Sequence, residues 1–138
     1  MSTAGTLLKT KSLGENINAK EWPRSTVTTS GEALPRRGEL WWVRVDKLRP
    51  AVVVQTDRVG DPRVRSFLVV PVTSRLHLEG LAGNVRLDRK ATGLSKTSVA
   101  NVYDIQKVFR SDLVENLGRL SPDCLKAIDD GLRLVLEL

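Results

Sequence analysis

The stretch VRVDKLRPAVVV, residues 43–54, decides how this chain is read. Two β-branched runs, VRV and AVVV, flank a charged connection that ends in Arg49 and Pro50. Branched side chains favour the pleated surface of a strand. Proline has no N–H to give to a ladder, so it fits best at a strand's opening position. The expectation is a tight strand–turn–strand in which Pro50 begins the second strand and Arg49 is held at the mouth of the sheet.

Similar segments recur on both sides: ELWWVRV (39–45), AVVVQT (51–56), SFLVVPVT (66–73), NVRL (84–87), TSVANVY (97–103) and IQKVFR (105–110). Turn-forming sequence separates several of them, as in DRVGDPR, GLAGN and ATGLSK. Six short strands with tight connections predict a mainly β domain, closed or nearly closed as a barrel. Trp41 and Trp42 are consecutive in a strand, so their side chains point to opposite faces, one of them into the core.

The period changes after residue 120. In SPDCLKAIDDGLRLVLEL, Leu125, Ile128, Leu132 and Val135 recur at helical spacing, Ser121 is suited to the N-cap, and Pro122 to the first helical position. A C-terminal amphipathic helix packed on the barrel follows, with Asp123 favourably placed near its start. SDLVEN, from Ser111, is expected to form one short helical turn before it. Residues 1–35, with the Ser/Thr/Gly-rich STVTTSGEALP, hold no sustained periodicity and are expected to be a flexible tail. That leaves residues 36–138 as one domain.

Composition narrows the function. The chain of 138 residues is 41% hydrophobic, enough for one real core. It has neither a run long enough to span a bilayer nor a secretory-type apolar segment at its start, which points to the cytoplasm. Residues 36–110 carry fifteen Lys/Arg against seven Asp/Glu, whereas residues 111–138 carry three against six. A basic excess confined to one block suits a polyanionic partner such as nucleic acid, although a solvated surface rich in arginine would look the same. His77 is the only histidine and Cys124 the only cysteine. That argues against a Cys/His metal site and a paired-histidine acid–base site, so no metal or cofactor is expected. His77 reads as an exposed loop residue and Cys124 as a helix packing residue. There is no GxxxxGK[ST] or GxGxxG phosphate loop.

What remains is arginine, lysine, aspartate and hydroxyl chemistry. The strand VVPVTSR ends in Thr73, Ser74 and Arg75. If its end and Arg49 share a rim, guanidinium and hydroxyl together suit a phosphodiester, because Arg donates two parallel hydrogen bonds to phosphate and Thr adds a third. The same residues also fit a plainer arrangement, with Arg49 ion-paired to Asp46 and Thr73 capping its strand.

The succession RRGELWWVRVD, RPAVVVQTD, LVVPVTS, GNVRL, TSVANVYDIQKV and a leucine-rich terminal helix resembles the MazF/PemK family of toxin endoribonucleases across residues 36–138. The resemblance implies an SH3-like barrel with appended helices, acting as a homodimer with its RNA groove along the subunit junction. It implies metal-independent, sequence-specific cleavage of single-stranded RNA, with 2′-hydroxyl attack leaving a 2′,3′-cyclic phosphate and a 5′-hydroxyl. An antitoxin with an acidic, partly disordered segment is the implied protein partner. Carried onto this chain, the family's catalytic arginine falls on Arg49 and its catalytic threonine on Thr73. Lys47, Ser74, Arg75, Asn101, Asp104, Gln106 and Lys107 become candidate RNA contacts. Arginine is a poor general base, so the proton acceptor stays open among solvent, Asp46 and Asp104.

Two departures stand out. The connection between the first two strands is short, whereas many members have a long, glycine-containing loop there. Asp104 stands where members often carry Gln. Two other functions fit the same architecture: a CcdB-like gyrase poison, which would use an aromatic-containing C-terminus that LRLVLEL lacks, and a noncatalytic RNA-binding barrel.

Overall fold

A computed structural model describes residues 34–138. Most of the segment expected as a tail therefore lies outside the described residues. Its last two residues are packed: Leu34 lies against an apolar cluster and Pro35 is fully buried.

The chain forms β1 (Glu39–Arg44), β2 (Leu48–Val53), β3 (Ser66–Thr73), β4 (Val85–Leu87), α1 (Arg89–Thr92), β5 (Ser98–Ala100), β6 (Gln106–Phe109), β7 (Leu113–Arg119) and α2 (Pro122–Leu136). A 3-10 segment, Leu76–Gly80, lies between β3 and β4. The strands pair in the order β4-β5-β3-β2-β1-β7, with β6 also on β3. Every pairing is antiparallel. The fold is mainly β, but the expected closure is corrected: no pairing joins β7 to β4 or β6 among the described residues. β3 organises the sheet. One edge of it pairs with β2, and the other with β6 along Ser66–Val69 and with β5 along Val72–Thr73.

Strand alternation sorts the core into two layers. One gathers Trp41, Val43, Ala51, Val53, Phe67, Val69, Val108 and Leu113. The other gathers Leu40, Val52, Val70, Val72, Leu87, Ala100 and Val102, and α2 closes it with Ile128. Trp41 is buried and Trp42 only half-buried, as consecutive strand positions require. The helix starts as expected, with Ser121 Oγ accepting from the Cys124 N–H and Pro122 in the first turn. Cys124, Leu132 and Val135 pack against the second layer. At Gly131 the helix comes so close to Gly83 that a Cβ would lie 2.1 Å from the Gly83 carbonyl oxygen, so only glycine permits this contact.

Two strand assignments differ from the sequence reading. β2 begins at Leu48, so Pro50 is its third residue, paired with Trp42 on β1. The ladder to β3 starts only at Ala51, and at Pro50 the strand therefore has one neighbour. A missing N–H is tolerated there. SDLVEN is not a helical turn: after a short 3-10 step at Arg110–Asp112, its residues from Leu113 belong to β7.

Candidate active site

The β2–β3 register pairs Ala51 with Pro71, Val52 with Val70 and Val53 with Val69. Continued two residues to the strand ends, it sets Arg49 across from Thr73. Opposed residues of an antiparallel pair share a face, so guanidinium and hydroxyl emerge on one side at one end of the sheet. Both are half-buried, and the core begins at Val72 on one strand and at Ala51, two residues in from Arg49, on the other. The apolar core thus holds the two backbones while leaving the polar tips in reach of solvent.

The immediate partners of the two groups differ. Arg49 Nε and Nη2 donate to the Asp46 carboxylate at 3.2 and 3.4 Å, and Nη1 has no acceptor among the described residues. This hydrogen bonding holds the Asp46 carboxyl below its ordinary range. Thr73 Oγ1 accepts from the Arg75 N–H at 3.2 Å, and its own hydroxyl proton has no acceptor among the described residues. A hydroxyl anchored as an acceptor keeps its proton to give. Both features of the plainer arrangement are therefore present, the ion pair and the strand-end cap. The ion pair occupies the Nε and Nη2 edge of Arg49, so an anion would have to exchange with Asp46 there, while Nη1 and the Thr73 hydroxyl stay open.

Other candidate residues fall at different distances from this corner. Ser74 and Arg75 directly follow Thr73 and are exposed, and Lys47 lies in the exposed connection before β2. Asn101 follows β5, and its N–H donates to the Pro71 carbonyl at 3.0 Å. Gln106 and Lys107 pair with Val69 and Leu68, four and five residues back along β3 from Thr73. At about 3.3 Å per residue, they stand roughly 13–17 Å from the Thr73 row. Gln106 Nε2 donates to Asp104, while the Lys107 ammonium lies over the Phe109 ring. The site therefore has a compact corner at Arg49, Thr73, Ser74 and Arg75, with Asn101 next to it. Gln106 and Lys107 lie apart from this corner. His77 is exposed within the 3-10 segment, and no group of three or more His, Cys, Asp or Glu is placed to hold a metal ion among the described residues.

Comparison with known proteins identifies the family. The profile of the PemK-like, MazF-like toxin family of type II toxin–antitoxin systems matches residues 36–136. The chain belongs to this family. The toxin is 35% identical over 107 residues to the probable endoribonuclease MazF5 of Mycobacterium tuberculosis, covering 76% of this chain and 95% of that one. Among solved structures, the Mycobacterium tuberculosis toxin MazF-mt6 superposes with a TM-score of 0.64 at 25% identity, covering 72% of this chain and 97% of that one. A mycobacterial endoribonuclease in complex with its cognate antitoxin has the same fold, with a TM-score of 0.60 at 18% identity over 75% of this chain and 94% of that one.

In this toxin the residue that sequence reasoning missed is Asn84. Its Oδ1 accepts from the Val102 N–H at 2.9 Å, while its Nδ2 donates to the Leu78 carbonyl at 2.9 Å and to Asn101 Oδ1 at 3.2 Å. One amide therefore joins the 3-10 segment to the turn after β5. The one available signal was the GLAGN turn, where a polar residue opens an apolar strand. No helix of the described residues is long and apolar enough to cross a membrane.

Proposed function

We propose that the toxin is a cytoplasmic endoribonuclease that cuts single-stranded RNA at short sequences, with residues 36–138 carrying the activity. The observation that carries this reading is the convergence of Arg49 and Thr73 at the ends of adjacent strands, each with a hydrogen-bond donor left open. In the reaction, the ribose 2′-oxygen forms a bond to the adjacent phosphorus and the P–O5′ bond breaks. The 2′ proton leaves to an acceptor, and the departing O5′ takes a proton to become the 5′-hydroxyl. Charge gathers on the non-bridging oxygens on the way. Arg49 stabilises that charge, and Thr73 donates to one of the same oxygens. Donors fixed where charge develops raise the rate without reorganising at the moment of reaction. Asp46 and solvent are the proton acceptors nearest the corner, while Asp104 is engaged by Gln106.

Two partners follow from the relatives. An antitoxin segment with acidic side chains would occupy the same corner, displacing Asp46 from Arg49 as phosphate does. A second copy of the chain would extend the groove, so the working unit is a homodimer. Inhibition of growth through loss of translatable RNA is the cellular outcome.

The test is incubation of purified protein with mixed cellular RNA in EDTA, with 5′-hydroxyl ends mapped, beside Arg49→Ala and Thr73→Ala. Cutting at defined short motifs that both variants lose is the expected result. Undiminished cutting by both variants would move the active site elsewhere, and RNA binding without any cutting would favour a noncatalytic barrel. RNA affinity should also fall with salt by about 0.7 log unit per log unit for each phosphate neutralised.

A further inference from the structure

The Asn101 carboxamide is held by two donors on its oxygen. Asn101 Oδ1 accepts from the Tyr103 N–H at 3.3 Å and from Asn84 Nδ2 at 3.2 Å. A backbone N–H can only donate, so the Asn101 oxygen must face Tyr103. Likewise, the Val102 N–H on Asn84 Oδ1 forces the Asn84 nitrogen toward Leu78 and Asn101. Neither amide can flip without setting like groups against each other. Both lone pairs of the Asn101 oxygen are occupied, while its Nδ2 hydrogens have no acceptor among the described residues.

The location of those hydrogens follows from the sheet. β3 pairs with β5 through Val72–Ala100 and Thr73–Val99, and β5 pairs with β4 through Val85–Ala100. Extending both registers by one residue sets Asn101 between Pro71 on β3 and Asn84 on the β4 side. The Asn101 oxygen is engaged from the β4 side, so its N–H2 group is left toward β3. There, Thr73 is its diagonal neighbour on the same face, roughly 7–8 Å away by strand geometry. Asn101 is half-buried, so the donor has limited freedom without being sealed off.

Resting on the endoribonuclease reading above, we propose that Asn101 is a specificity-determining residue that reads a base beside the scissile linkage as a donor only, and that Asn84 is the positioning residue that makes it so. Asparagine usually reads adenine in bidentate fashion, donating to N7 and accepting from the N6 amino group. That mode needs a free carbonyl, and here the carbonyl is occupied. A donor alone matches the carbonyl oxygens of uracil (O4) and guanine (O6); at the same positions adenine and cytosine present an amino donor, so of the bidentate adenine contact only the bond to the ring nitrogen N7 would survive. Single-stranded RNA exposes these edges to such contacts. The toxin should therefore favour a keto base over an amino base at one position flanking the cut.

Two isosteric substitutions test this. Asn101→Asp keeps the internally bonded oxygen and replaces the outward donor by an acceptor. Asn84→Asp keeps the bond from Val102 but sets an oxygen against Leu78 and Asn101, releasing the Asn101 amide. Both variants, wild type and Arg49→Ala would be assayed on oligoribonucleotides varied in turn at each base flanking the cut, for kcat/KM and KM, with the melting temperature measured alongside. Affinity for the same oligonucleotides with a 2′-deoxyribose at the scissile position gives the base ranking without cleavage.

The expected result is a keto-over-amino preference of about tenfold in wild type at one position. Asn101→Asp should reverse it toward amino bases, while Asn84→Asp should flatten it, both in binding and in cleavage. Arg49→Ala should slow every substrate alike and leave the binding ranking unchanged. An unchanged ranking in Asn101→Asp that still melts like wild type would overturn the proposal, as would a wild-type preference for adenine at every position. Loss of cleavage chemistry from Arg49 is a separate result: an Arg49→Ala variant with full activity refutes the catalytic assignment, whereas the binding ranking still decides the role of Asn101.

Discussion

Two arginine–aspartate pairs in this molecule use the same chemistry for opposite ends. Arg37 and Asp129 lie far apart in sequence and meet in a two-point bond of 3.1 and 2.6 Å, each side chain largely covered. Arg37 Nε also donates to the Val54 carbonyl, and its backbone N–H to Asp57. Every element of that arginine is engaged, and the result is a tether between the entry to β1, the end of β2 and α2. Arg49 and Asp46 are three residues apart, at 3.2 and 3.4 Å, with the aspartate side chain 72% exposed. Such a pair is easily exchanged, because water and salt offset most of its attraction. An arginine that is fully engaged stabilises the fold, whereas one held loosely by an exposed carboxylate is kept extended and ready for a different anion.

Substituting the two arginines separates these roles. Arg49→Ala should lower cleavage about 100-fold or more, equivalent to about 2.7 kcal/mol of transition-state stabilisation, with a urea midpoint close to wild type. Next in size, Arg37→Ala should destabilise the protein by about 2 kcal/mol, since it leaves Asp129 half-buried without its partner. Its cleavage rate per folded molecule should be retained. If Arg49→Ala unfolds the protein, or Arg37→Ala abolishes activity while remaining folded, the division of labour is wrong.

The sequence carried the loosely held pair better than the tether. Arg49, Pro50 and Thr73 sit at changes of local pattern, where an apolar strand meets charge or hydroxyls, and local pattern is what one sequence displays. Arg37–Asp129 depends on where α2 packs, and nothing in RRGEL announces it. β7 was hidden for a related reason. Of its residues only Leu113 is buried, so no alternation marks it, and its pairing with β1 shifts register twice, between Leu40 and Trp41 and between Trp42 and Val43. Asn84 looked like an ordinary polar residue at a strand end, and Asn101 stood out only as a candidate RNA contact implied by the resemblance. Their fixed orientation arises from backbone N–H groups in a turn that only the folded chain brings together.

A smaller effect sharpens the comparison at Asp46. If this carboxylate only competes with phosphate for Arg49, Asp46→Asn should lower KM a few-fold and leave kcat unchanged. A collapse of kcat would instead make Asp46 the acceptor of the 2′ proton. The two outcomes separate in a single kinetic series, because competition acts on binding and proton transfer acts on the chemical step.

The smallest expected effect concerns a carboxylate on which burial outweighs its polar and charged neighbours. Glu39 Oε1 accepts from the Arg36 N–H at 2.8 Å and from Trp41 Nε1 at 3.0 Å. Burial pushes its carboxyl above the ordinary range, and these hydrogen bonds together with the charge of Arg119 only partly offset the rise. A carboxyl whose folded-state pKa is raised contributes stability that is present below its unfolded pKa and lost as pH rises through the folded one. Glutamine offers the same carbonyl acceptor and never ionises. Glu39→Gln should therefore match wild type near about pH 4 and exceed it by up to about 1 kcal/mol near about pH 8, read from urea midpoints. A variant less stable than wild type at the higher pH would mean that Arg119 and the two donors outweigh burial, making Glu39 a tether of the Asp129 kind.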